Sequence, residues 1–183
     1  MRRKNVTTQM MKEYLAESLL LLMRSKAYPE ITISAITEKA GVNRSTYYRN
    51  FSSKEDIIAF YFSNLLHGYS TEYLQARDHS FENYMHTIFC YFFRHKRELL
   101  LIHKNGLSYL ILETLNKAFK EHGGESLDVE AQFKAYFHIG GIYNTYLLWF
   151  SHDMRETPEE LTRISLAQLP SHAKPTLLGL FLQ

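Results

Sequence analysis

Along this chain apolar residues recur at spacings of three and four, and no stretch alternates polar with apolar for any useful length. That rhythm belongs to amphipathic helices rather than to half-buried strands. Leu15, Leu19, Leu22 and Met23 mark a first helix over about residues 8–26, with Thr7 or Thr8 as its N-cap. Tyr28-Pro29 ends it, because proline lacks the amide that would continue the ladder. Thr32 then reads as the cap of a short helix carrying Ile33, Ile36 and Ala40, and Gly41 stands where the chain must take a positive φ to leave it. Asn43 caps a third short helix, from Arg44 to Arg49 or Asn50. Ser52-Ser53-Lys54-Glu55-Asp56 opens a fourth, with a hydroxyl cap and acids in the first turn near the positive end of the helix dipole.

From Lys54 the pattern is one long helix, with Ile57, Ile58, Tyr61, Phe62, Leu65, Leu66 and Tyr69, reaching about Ala76. Further helices are predicted over about 81–94, 96–103, 106–121 (ended by Gly123-Gly124) and 128–153 (capped by Asp128). Thr157-Pro158-Glu159-Glu160 is an unusually complete helix start, with a cap, a proline at the first helical position and carboxylates behind it, and that helix runs to about Ala167. Pro170 and Pro175 break the chain beyond it and leave a short apolar tail over 177–182. The expected fold is therefore all-α, with about nine helices: a three-helix head over residues 1–52, joined without a flexible linker to a helical bundle over 53–183.

Composition sharpens this picture in two ways. Hydrophobic residues make up 45% of the 183, enough to bury a full core, and proline is scarce at four. Charge is uneven: residues 1–65 hold ten Lys/Arg against six Asp/Glu, a surplus of four, whereas the rest holds eleven against thirteen. A basic head on a mildly acidic body suits a nucleic-acid reader with a second function elsewhere. The single cysteine, Cys90, excludes an intrachain disulfide and fits a reducing compartment. The N-terminal residues lack a signal-peptide pattern and no apolar run approaches membrane-spanning length, so a cytoplasmic protein with no membrane association is expected.

Three helices separated by tight turns, the last two very short, form a helix-turn-helix. Its third helix must expose small or polar side chains at the N-terminal turn that meets the major groove, and Arg44, Ser45 and Thr46 supply them. Thr32, Tyr48, Arg49, Asn50 and Lys54 are suited to phosphate contacts, which position the head without reading sequence. Ile33, Ile36, Ala40, Val42, Tyr47 and Phe51 remain to pack the small core.

Ala40-Gly41-Val42, then Thr46-Tyr47-Tyr48-Arg49-Asn50-Phe51, then Ser53-Lys54-Glu55 resembles the head of TetR-family transcriptional regulators. Thr37, Tyr47 and Asn50 depart from the alanine, aliphatic residue and histidine usual there. The resemblance implies that Arg44 and Thr46 face bases with Ser45 between them, that Tyr48, Lys54 and Thr32 hold phosphates, and that the protein is a homodimer on near-palindromic double-stranded operator DNA.

More loosely, Gly140-Gly141-Ile142-Tyr143, Leu148-Trp149-Phe150 and the Thr157-Pro158-Glu159-Glu160 helix are similar to the ending of one branch of that family, which implies a four-helix dimer interface. Gly140 and Gly141 each cost roughly 1 kcal/mol of helix stability against alanine, and close approach of another helix would offset that; room for a ligand is the alternative. Leu148, Trp149, Leu161 and Ile164 are the expected contacts beside them. The aromatic-rich body suggests an effector pocket for a small apolar or aromatic ligand, with Tyr61, Phe62, Leu65, Tyr69, His86, Phe89, Phe93, Tyr109, Tyr136 and Tyr143 as candidate walls, against the alternative that these are ordinary bundle core. The expected function is a repressor released by a small effector; the alternative is an activator or adaptor that docks a protein partner.

Catalytic chemistry finds no support. Ser151-His152-Asp153 cannot form a triad, since neighbours on a helix point about 100° apart. No Gly-rich phosphate loop, paired zinc motif or nucleophile elbow is present. His86 and Cys90 share a helical face, but no third ligand stands at suitable spacing, so neither a metal nor a cofactor is expected.

Overall fold

The computed structural model describes residues 2–168, with side chains from residue 8 onward; the expected breaks at Pro170 and Pro175 and the tail over 177–182 lie outside the described residues. Among them are nine α-helices and no strand: α1 (Arg2–Met23), α2 (Ile33–Ala40), α3 (Arg44–Asn50), α4 (Lys54–Gln75), α5 (Phe81–Arg94), α6 (Lys96–Lys104), α7 (Tyr109–Glu121), α8 (Val129–Ser151) and α9 (Pro158–Gln168). The all-α expectation holds.

The caps explain most of the boundaries. Thr32 Oγ1 accepts from the Ala35 amide at 3.2 Å, starting α2. Ser53 and Asp56 form a reciprocal capping box at the start of α4. Asp128 accepts from the Ala131 amide at 2.8 Å and opens α8. Thr157 and Glu160 cap α9 in the same reciprocal way, Thr157 N–H to Glu160 at 2.8 Å and Glu160 N–H to Thr157 at 3.2 Å. Gly41, at φ 66°, ends α2 in the left-handed region, where a side chain would be strained.

Three expectations are corrected. The first helix begins at Arg2, so Thr7 and Thr8 lie inside it rather than capping it, and it ends at Met23. Asn43 occupies the position before α3 but makes no side-chain capping bond. The helix expected from residue 106 starts at Tyr109, because Gly106 takes φ 74°.

α4 joins head to body. It packs on α1, and also on α5 and α7, so one helix shares both cores. The body core is aromatic and long-range: Phe92 stacks on Tyr146 with centroids 4.6 Å apart, and Phe89 meets Trp149 edge-on at 5.8 Å. Tyr69 and Tyr84 share a buried hydroxyl–hydroxyl bond of 3.2 Å, and burial pushes Tyr69 up to about 12. The turn from α8 to α9 takes left-handed backbone at two non-glycine residues, Asp153 (φ 53°) and Met154 (φ 49°). Such strain persists only where the surroundings over-determine it. Here Met154 is fully buried, its carbonyl accepts from Lys96 Nζ at 2.8 Å, and Trp149 Nε1 donates to the Glu156 carbonyl at 3.1 Å.

Candidate nucleic-acid interface

α3 is a seven-residue helix with one buried side chain, Tyr47, which packs edge-to-face with Tyr48 and tilts against Phe51. That anchor, with Ile36 of α2 fully buried, holds the opposite face of α3 outward. Arg44, Ser45, Tyr48 and Arg49 are exposed there, and Thr46 is half-buried. They form a connected polar surface: Arg44 donates to the Tyr48 hydroxyl at 3.4 Å, and Arg49 donates to the Ser45 carbonyl at 3.2 Å and to the Thr46 hydroxyl at 3.4 Å. Thr32, at the start of α2, is exposed as well. Thr37 is buried where the resemblance prefers alanine, and its hydroxyl is satisfied by the Ile33 and Ser34 carbonyls at 3.0 and 3.1 Å. A hydroxyl that returns its bond to its own helix costs little there.

Two residues grouped with the phosphate donors are committed to the head itself. Asn50 donates to the Thr46 carbonyl at 2.7 Å. Lys54 donates to the carbonyls of Tyr28 and Ile31 at 2.8 and 2.9 Å, and its ammonium lies 4.3 Å from the Tyr28 ring centre. Beside it Tyr28 donates to Glu55 at 2.8 Å; burial first, then that carboxylate, raise the Tyr28 phenol well above its ordinary value. Lys54 and Glu55 thus grip the segment between α1 and α2. Sequence reasoning missed this role because the partners are 26 and 23 positions away for Lys54, and 27 for Glu55.

In the body, the expected interface residues divide. Leu148 is 60% exposed and Ile164 lies at the surface, whereas Trp149 and Leu161 are buried within a single chain. The expectation that Leu148 and Trp149 both face outward is corrected by helix geometry, which turns consecutive residues about 100° apart. Gly140 is half-buried and Gly141 exposed, and among the described residues a Cβ built on either meets nothing within 4 Å. Phe133 and Phe137, which the sequence pattern did not place at an interface, are 75% and 80% exposed on the same side of α8 as Gly141 and Leu148.

The ten candidate pocket residues do not surround one cavity. A cleft of about 540 Å³ lies between α5, α8 and α9, and of the ten only Phe89 lines it, beside Tyr84, Ile88, Ile142 and Tyr146. Phe62, Leu65 and Tyr69 are buried core, Tyr61, His86 and Tyr143 are half-buried, and Phe93, Tyr109 and Tyr136 are exposed. A smaller cavity takes in Tyr69, Leu66 and Thr114. The Tyr146 hydroxyl is buried without a hydrogen-bond partner among the described residues.

The tertiary structure also brings a third ligand-type side chain to His86 and Cys90. Glu159, 73 positions beyond His86, places Oε1 3.4 Å from His86 Nε2, and Cys90 Sγ lies 3.5 Å from the same nitrogen. Burial raises the Cys90 thiol, the opposite of what an activated nucleophile needs. Glu159 is held below the ordinary carboxylate value by its own backbone amide, Thr157 and His86.

Residues 20–59 match the model of the bacterial regulatory proteins of the tetR family. The HTH-type dhaKLM operon transcriptional activator DhaS of Lactococcus lactis subsp. lactis (strain IL1403) is 32% identical over 62 residues, covering 34% of this chain and 32% of that protein, so the matched segment spans about a third of the relative's length. Three solved structures share the fold. The dihydroxyacetone kinase operon activator DhaS is 17% identical and covers 93% of this chain and 96% of its own, with a TM-score of 0.56. The FadR of Thermus thermophilus, a TetR-family repressor solved with lauroyl-CoA, is 21% identical over 85% and 91% at 0.52. The fatty acid degradation regulator FadR of Bacillus halodurans is 17% identical over 94% of each chain at 0.50. No described helix is long and apolar enough to cross a membrane. The match over residues 20–59 takes in α2, the outward-facing α3 and the start of α4, so the head of this chain is similar to that of the tetR family of bacterial regulatory proteins.

Proposed function

We propose that the protein is a sequence-specific transcriptional regulator that binds a near-palindromic operator as a homodimer, with residues 1–52 as the reading head and 53–183 as the dimerisation and effector body. The observation that carries this reading is the exposed polar face of α3, held outward by buried Tyr47. In this reading Arg44, Ser45 and Thr46 address base edges, and Thr32, Tyr48 and Arg49 address phosphates. Lys54 and Asn50 contribute by holding the head's shape, since their donors are engaged within it.

The dimer pairs α8 and α9 with their copies. Phe133, Phe137 and Leu148 are exposed on one side of α8, and among the described residues a Cβ at Gly140 or Gly141 would meet nothing within 4 Å. An apolar stripe of that kind marks an interaction surface, and two-fold pairing is the commonest closed assembly. Two linked heads also offset the weak binding of one, roughly 10⁻⁴ to 10⁻⁶ M for non-specific contacts at physiological salt.

The cleft between α5, α8 and α9 falls within the roughly 300–1,000 Å³ typical of ligand sites; Ile88, Phe89 and Ile142 on its wall suit an apolar effector that releases the repressor, and because Phe137, Gly141, Leu148 and Ile164 line it too, such an effector would bind against the dimer face itself. A second reading, activation, is favoured by the similarity to DhaS of Lactococcus lactis, which is named as an activator. Anisotropy titration with the duplex upstream of the protein's own gene tests the proposal. Saturable binding that weakens steeply with salt, and discriminates less between operator and mismatched duplex in R44A, is expected. Absence of binding to that duplex and to random duplexes at low salt overturns it. Phe137→Glu separates the dimer claim: monomers by sedimentation are expected, and an unchanged dimer refutes the α8 face.

A further inference from the structure

We propose that His86, Cys90 and Glu159 form a binding site for a divalent transition metal of the zinc class, bridging α5 and α9. Cys90 follows His86 by four positions, so both project from one face of α5 about one turn apart, the arrangement that lets two side chains of a helix share an ion. Glu159 comes from the first turn of α9. The reciprocal cap of that helix is made by Thr157 and Glu160, and Glu159 directs Oε1 at His86.

The distances suit a tetrahedral ion. Zn–N and Zn–O bonds of about 2.0–2.2 Å and a Zn–S bond of about 2.3 Å place neighbouring ligand atoms roughly 3.3–3.6 Å apart. The observed separations are 3.4 Å for His86 Nε2 to Glu159 Oε1 and 3.5 Å for Cys90 Sγ to His86 Nε2, and all three ligand atoms lie within 4.8 Å of one another. The donor set is one nitrogen, one sulfur and one oxygen, which favours zinc and its neighbours over magnesium or calcium. A thiolate and a carboxylate together match the charge of a divalent ion. Arg94, the cation one turn beyond Cys90, is paired with Glu72 of α4. The His86 and Glu159 side chains are 40% and 69% exposed, so an ion reaches them from solvent and a water completes the fourth position.

A bare hydrogen-bonded trio would show the same distances, and metal titration separates the two. Reduced, metal-free full-length protein is titrated with Co²⁺ in the absence of oxygen. One ion per chain is expected, with the thiolate-to-cobalt charge-transfer band of Cys90 and the intense visible bands of a four-coordinate ion, all displaced by Zn²⁺. Cys90→Ser removes the charge-transfer band. Glu159→Gln, a change at an exposed position, weakens binding by more than the roughly 10- to 100-fold that loss of an outer-shell partner costs. Cobalt that binds without the charge-transfer band, or with equal affinity in wild type and E159Q, overturns the site. The readout involves no DNA, so its result stands apart from the regulator reading.

Discussion

In the head, several of the bonds that set the geometry join residues a few positions apart: Thr32 to Ala35, Thr37 to Ile33, Asn50 to Thr46. In the body the defining contacts cross long stretches of chain, as Phe92 does with Tyr146, Phe89 with Trp149 and His86 with Glu159. The head can therefore hold a fixed reading surface on very little core, whereas the body's shape depends on which helix faces lie together. The exception in the head is the grip of Lys54 and Glu55 on residues 28–31, which fastens the short-range unit to α4.

That contrast can be broken at its strongest point first. Trp149→Ala removes the largest buried side chain of the body together with its bond to Glu156, and should cost about 3–5 kcal/mol in urea denaturation. A cost below about 1 kcal/mol would mean that Trp149 is not core and would restore it to the dimer face. Next, Lys54→Met keeps the stem and deletes two charge-assisted bonds, for an expected loss of about 1.5–3 kcal/mol. Thermal and denaturant melts read this directly; a variant of native stability that binds DNA weakly would return Lys54 to the phosphate contacts.

Arg44→Ala leaves the fold untouched, because its side chain is exposed. It should reduce discrimination between operator and mismatched duplex by about 1–3 kcal/mol, measured as a ratio of affinities at fixed salt. A uniform loss on all duplexes would instead make Arg44 a phosphate contact. Smallest is Ser53→Ala, which deletes one half of the capping box and should cost about 1 kcal/mol. No change in its denaturation midpoint would show that Asp56 alone starts α4.

The family motif was legible because its parts are local. A cap, a glycine at positive φ and a buried tyrosine at fixed spacing within α2 and α3 can be recognised without knowing what lies across the molecule. The candidate pocket was not legible. Apolar and aromatic residues on α4, α5 and α8 are equally able to line a cavity or to fill the core, and Phe62 and Leu65 fill the core. The third ligand-type residue beside His86 and Cys90 was missed for a related reason: it arrives from α9, and no spacing within α5 announces it.

Helix identity, most of the caps and the outward polar face of α3 are determined by the sequence alone, because hydrogen bonds and packing within a few turns dictate them. Only the tertiary structure decided that Lys54 turns inward, that Trp149 belongs to the core while Leu148 faces out, and that Glu159 meets His86. Those outcomes depend on how separate helices are rotated and brought together, which long-range burial settles after the local rules have been satisfied.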